Sequence, residues 1–290
     1  MDHAIARHLW KRMEAPHAFV YFVPEATEAF TAIGLERVAH YFAQRSAPMG
    51  MAHPSVVAAA FYNFSPALVA RALRDVWSTT TPAAIIEARW TAVDGALQRL
   101  WADETLESLI PEATELAMAA SAACEQGGRP LFAAHAQLDP PDRPLVRLWH
   151  WLTLLREYRG DGHVAALVAH EVDPVAALLT SEGSALMPLD LLRQTRGWRD
   201  DDWQETTSRL VDKGWLNSEG ALTDEGTAVR WAVEEMTNRL AMPPWEGLGE
   251  ARTRRLGEIL GPLAVAIAAG GGVPAVIPAE PDRSVLQSDT

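Results

Sequence analysis

Apolar positions recur at helical spacing over Ala83 to Trp101, Thr114 to Cys124, Leu145 to Tyr158 and Val164 to Leu179. Residues of the Pro, Gly and Asp type punctuate these runs, as at Ala47-Pro48-Met49-Gly50, Asp139-Pro140-Pro141 and Gly160-Asp161-Gly162. The last of these predicts a break, with Asp161 capping a new helix and His163 in its first turn. Strict alternation is scarce. Two short hairpins are expected, the clearer at Trp215 to Leu222, where Asn217-Ser218-Glu219-Gly220 separates apolar ends. The pattern predicts a mainly α protein with short β-hairpin wings.

Laid against itself, the chain shows paired residues in the same order. Leu9-Trp10 faces Leu148-Trp149, Leu73-Arg74 and Trp77 face Leu192-Arg193 and Trp198, and Val93-Asp94 faces Val211-Asp212. Glu112, Thr114, Pro130 and Phe132 then face Glu225, Thr227, Pro243 and Trp245 at one constant offset. This order points to a fused duplication. Residues 1–138 form a first, degenerate winged-helix-like unit, 139–269 a second, and 270–290 a flexible C-terminal tail. Two tandem winged-helix units would make a pseudo-dimer within one chain.

The second unit resembles the MarR-type winged helix over roughly residues 185 to 263. Leu191-Leu192 match its first short helix, Asp201 to Lys213 its recognition helix, and Gly214-Trp215-Leu216 the entry to its wing. Leu222-Thr223-Asp224-Glu225-Gly226 then match the return into a long helix. The resemblance implies a small-ligand site between wing domain and dimer interface. The whole chain also resembles an actinobacterial family of helix-turn-helix proteins, through Pro16 to Glu25, Phe61-Tyr62-Asn63-Phe64, Gly128 to Phe132 and Arg156 to His163. That likeness implies a fold and no reaction.

At 290 residues, with 48% hydrophobic and 22% charged residues, the chain is long enough for two ordinary modules. No apolar run approaches the roughly 18 residues that a membrane span needs. The start lacks a basic region followed by an apolar run, so no secretion signal is expected. A single cysteine, Cys124, excludes an internal disulfide and a multi-cysteine metal site. The expected location is the cytoplasm. Lysine occurs only at Lys11 and Lys213, so arginine carries nearly all the positive charge.

Net charge changes the picture of a DNA reader. At −13 the protein repels nucleic acid at long range, unless a local basic patch overrides it. In the expected recognition helix, Asp200, Asp201, Asp202, Glu205 and Asp212 stand against only Arg209 and Lys213. Acids suit a helix N-terminus, but that end is the one a DNA-reading helix pushes into the groove. The expected wing holds Glu219 and no cation. DNA is therefore not an expected partner.

The densest polar cluster in apolar surroundings is Arg156-Glu157-Tyr158-Arg159-Gly160-Asp161-Gly162-His163. One reading is structural, with Arg156 and Glu157 paired and Asp161 a cap. The other makes it a pocket wall, with Arg156 or Arg159 binding an anionic or carbonyl group, Glu157 a further ligand-binding candidate, and His163 exchanging a proton. His17 and Tyr21 sit four apart in an aromatic run, on one face if helical. They are either core residues or the opposite wall of the same cavity. Tyr62 and Phe64, with Arg45 nearby in sequence, supply either an aromatic lining or plain packing. His163, Asp161 and Tyr21 are the acid–base candidates, without a reaction class. No metal set is apparent, and no cofactor is assigned; non-covalent haem through a histidine is one alternative. The reading is a monomer or homodimer that binds a small apolar or aromatic molecule, away from membranes, on a scaffold without DNA binding. The alternative is a ligand-responsive, MarR-like transcriptional regulator.

Overall fold

Proline decides where much of this chain turns into helix. The computed structural model describes residues 1–181 and 188–277. Within them α1 (Ala4–Ala18) is followed by α2 (Pro24–Ala32), α3 (His40–Ser46), α4 (Pro54–Phe61), α5 (Pro66–Leu73), α6 (Val76–Thr79), α7 (Pro82–Leu100) and α8 (Glu104–Glu107). Next come α9 (Ile110–Ser121), α10 (Pro130–Ala136), the long α11 (Pro144–Ala169) and α12 (Pro174–Leu179). The last five are α13 (Leu189–Arg196), α14 (Asp200–Asp212), α15 (Asp224–Leu240), α16 (Pro243–Leu248) and α17 (Glu250–Ala269). Proline's fixed φ and missing N–H cost nothing in a first turn, which is why so many of these helices open on it. Just before three of these prolines, the side chains of Ser65, Thr81 and Asp173 accept first-turn N–H groups, as that of Thr223 does for α15.

The apolar interior falls into two main clusters. The larger draws on α1 to α7, α9, α10, the first half of α11, and α16 to α17, with Trp101, Trp149, Phe19 and Phe30 fully buried. The smaller gathers Ala166 and Leu167 at the end of α11 with Val175, Leu192, Trp203, Leu210, Trp215 and Val233. Helix α11 runs through both. Of the expected tail, Val273 and Ile277 are buried against the larger cluster, and residues 278–290 lie outside the described residues. No helix is long and apolar enough to cross a membrane among the described residues.

The expected β-hairpin wings are not formed, and with them falls the reading of two tandem winged-helix units. No strand occurs among the described residues. The segment Trp215 to Leu222 closes through one antiparallel bridge, Leu216 to Leu222. Its loop is too short and too self-satisfied to extend a ladder. The Asn217 side chain accepts the N–H groups of Glu219 and Ala221 at 2.9 and 3.0 Å, and Gly220 takes φ +82°. The mainly α part of the expectation stands.

The expected break at Gly160-Asp161-Gly162 is also absent, because α11 passes straight through it. Gly162 allows a close crossing there instead. A Cβ on it would lie 2.6 Å from Arg129 Nη1 and 3.3 Å from Leu240 Cβ on α15. Arg129 fills that crossing, donating to the carbonyl oxygens of Tyr158 and Leu240. Asp161 therefore caps no following helix. Its Oδ2 accepts the Phe132 N–H at 2.9 Å, in the first turn of α10.

Candidate functional site

A cavity of about 660 Å³ opens where the two apolar clusters meet. Helix periodicity builds its walls. On α1, Trp10, Glu14 and Ala18 fall one turn apart on a single face. On α11, Arg156, Arg159, Gly160 and His163 share a face by the same spacing, and α15 adds Arg230 and Glu234. Aromatic rings close one side: Tyr21 and Phe22 from the turn after α1, Tyr41 and Phe42 from α3, and Phe64. The Tyr41 ring lies 4.8 Å from that of Tyr21 and 5.3 Å from that of Phe64, so these rings form one continuous surface. Helices α12 and α13 contribute Leu178, Leu191, Leu192 and Arg196 opposite.

The charged wall is held by two carboxylates. Glu157, fully buried, accepts Arg45 Nε and Nη2 at 2.8 and 2.7 Å, and Arg156 Nη1 at 3.2 Å. Burial pushes the Glu157 carboxyl up, but the Arg45 and Arg156 guanidinium groups outweigh it and hold it well below the usual range. Glu234 is the second centre, pairing with Arg7 at 2.7 Å, Arg159 at 3.5 Å and Arg230. The Arg159 guanidinium also stacks 4.4 Å from the Trp10 ring, whose Nε1–H donates to Glu14 at 2.8 Å. Burial lowers Arg159 to about 10, against the pull of Glu234.

Neutral groups complete the wall. His163 Nδ1 lies 2.9 Å from Thr237 Oγ1, and burial drives its imidazole down to about 3, so it stands uncharged. Behind Tyr21 runs a short relay: its hydroxyl is 3.0 Å from His17 Nε2, and His17 Nδ1 is 3.2 Å from Thr153 Oγ1. Burial, then Arg156, lowers His17 well below the ordinary imidazole value, and burial raises the Tyr21 phenol.

Five of the residues singled out in the sequence, Tyr21, Phe64, Arg156, Arg159 and His163, line this one cavity. His17, Arg45 and Glu157 stand directly behind it, each bonded to a wall residue. Tyr62 and Asp161 are elsewhere. Tyr62 donates to the Val172 carbonyl oxygen at 2.7 Å, and Asp161 serves α10. Sequence reading missed Trp10, Glu14, Tyr41, Arg230 and Glu234. The spacing of four in Trp10–Glu14 and in Arg230–Glu234 was a usable signal.

Beside the cavity, α13 and α14 are joined by Gly197, at φ +72°, with Trp198 and Arg199. A Cβ on Gly197 would sit 2.7 Å from Leu68 Cβ, so the turn packs tightly on α5. Asp200, Asp201, Gln204, Glu205, Ser208 and Asp212 form the exposed face of α14. Arg199 is tied to Asp202 at 3.0 Å, and Arg209 pairs with Asp173.

An all-helical protein with a helix–turn–helix segment next to an aromatic and guanidinium-lined cavity is what this architecture defines. The chain belongs to the helix-turn-helix family, whose family model matches residues 6–274. No curated protein and no solved structure matches the chain.

Proposed function

We propose that this helix-turn-helix family protein binds a small molecule in the cavity between α1, α11, α15 and the aromatic wall. The cavity itself carries the reading. Its volume of about 660 Å³ falls within the range of specific ligand pockets, roughly 300 to 1,000 Å³. Its continuous ring surface and few convergent polar groups are what such pockets use for affinity and orientation. Catalysis is not needed to account for this wall. The acid–base candidate Asp161 is spent on the Phe132 N–H.

Family membership favours a second reading, a regulator that reads DNA through α14 in response to the ligand. The exposed acids Asp200, Asp201 and Glu205 weigh against it, because phosphate contacts dominate duplex affinity.

The test is fluorescence titration with N-phenyl-1-naphthylamine, a neutral aromatic dye, on wild type and Gly160→Leu. Gly160 lines the cavity, and a Cβ there meets only ordinary contacts, the nearest 3.4 Å away. Leucine therefore fills space without opposing the helix. Saturable one-to-one binding that Gly160→Leu weakens at least about tenfold, roughly 1.4 kcal/mol, supports the reading. No binding, or equal binding by the filled variant, overturns it. Absorbance and native mass spectrometry of purified protein separate a haem from other retained molecules.

A further inference from the structure

We infer that the ligand of this cavity is an organic anion, with its acidic group at Arg156 and Arg159 and its apolar body against the Tyr21–Tyr41–Phe64 rings. This rests on the cavity being the binding site and goes beyond it by fixing the chemistry of the guest. The burial of the guanidinium groups on α11 is the first argument. Arg156 and Arg159 stand on the cavity face of that helix, and Arg159 is buried. A buried guanidinium is costly unless it is fully paired, and an acidic group on a guest would complete the pairing.

Hydrogen-bond supply gives the second argument. Arg156 gives one hydrogen bond, to Glu157 Oε2 at 3.2 Å, and stands 3.7 Å from Glu14 Oε1. Its other N–H groups are uncommitted. Arg159, 8% exposed, reaches its acceptors Glu234 and Asn238 only at 3.5 Å, and its Nε has no partner. Two guanidinium groups one helical turn apart, both under-used and both on the cavity face of α11, fit a planar carboxylate or a tetrahedral sulfonate or phosphate. Glu157 stays engaged with Arg45, so Arg156 can turn toward a guest without stranding that carboxylate.

The rings supply the other pole. Tyr41 packs edge-on or tilted against Tyr21, Phe42 and Phe64, at interplanar angles of 63°, 90° and 42°, and together they line one apolar side of the same cavity. A guest with an aromatic body and an acidic end would satisfy both poles at once.

Two dyes of one skeleton test this. 8-Anilinonaphthalene-1-sulfonate carries the acid that N-phenyl-1-naphthylamine lacks. The expected result is that wild type binds the sulfonate at least about tenfold more tightly than the neutral dye. Arg156→Met should remove that preference, read as the ratio of the two affinities, with Arg156→Lys restoring part of it. Gly160→Leu should weaken both dyes. Equal or tighter binding of the neutral dye by wild type overturns the anion assignment and leaves the cavity reading standing. Equal weakening of both dyes in Arg156→Met overturns it too. Failure of both dyes to bind wild type removes the cavity reading and this inference together.

Discussion

Arg45 and Glu157 meet across 112 positions of sequence as a two-point ion pair, Nε to Oε1 at 2.8 Å and Nη2 to Oε2 at 2.7 Å, with Glu157 shut off from solvent. The pair ties α3 to the centre of α11. Removing one partner leaves the other charged and buried. Glu157→Ala is therefore expected to cost about 3–5 kcal/mol of folding free energy, read from denaturant midpoints. Arg45→Met combined with Glu157→Leu should recover much of that loss. A double variant no better than the single one would mean that the pair is not acting as a unit.

The two glycines of α11 should respond in opposite directions. Gly162→Ala drives a methyl to 2.6 Å from Arg129 Nη1, in a crossing where Arg129 holds two carbonyl oxygens. A loss of about 1–3 kcal/mol is expected in thermal or urea unfolding. Gly160→Ala meets nothing closer than 3.4 Å and should gain up to about 1 kcal/mol from helix propensity. Equal effects from both would contradict the close crossing.

Asp161 supplies a pH test. Burial raises its carboxyl from an ordinary 3.8 to about 7, outweighing the Phe132 N–H that favours the charged form. A folded value above the unfolded one means that the fold prefers the protonated acid. Its stabilising contribution is complete below pH of about 4 and lost as pH rises through about 7. Asp161→Asn keeps an acceptor for Phe132 and removes the charge. It should match wild type near pH 4 and exceed it near pH 8 by up to about 4 kcal/mol, the worth of a three-unit shift. The neutral imidazoles of His135 and His163, both driven by burial to about 3, act in reverse and lose stability as pH falls below about 6.5. They act on both proteins, so the difference between the two curves isolates Asp161.

For the helix–turn–helix face, anisotropy of a labelled random duplex at low ionic strength is expected to show no binding at protein concentrations up to about 10 μM. Salt-sensitive binding in the micromolar range would restore α14 as a DNA reader.

Much of the helical framework was legible because its starts are written locally, as at Pro82 and Pro144, but the single run read from Val164 to Leu179 is divided: α11 ends at Ala169 and Asp173-Pro174 opens α12. The α11 wall of the cavity was legible for a related reason. Arg156, Arg159 and His163 lie within eight residues, and arginines amid leucines stand out. What failed was tertiary. Gly160 and Gly162 read as a break because sequence cannot show Arg129 and α15 arriving to use the space. Glu234 was passed over although Arg230 stands four residues before it, because its other partners Arg7 and Arg159 are 227 and 75 positions away. The wing failed because Asn217 satisfies the loop's own N–H groups, a local economy that ends a ladder after one rung.

The stretch from Tyr62 to Leu68 faces two ways. Phe64 floors the cavity, while Asn63 receives the Trp198 indole N–H at 2.9 Å, Ser65 N–H reaches the Arg196 carbonyl, and Leu68 lies beneath Gly197. The lining of the cavity and the corner between α13 and α14 are therefore built from neighbouring residues of one short segment.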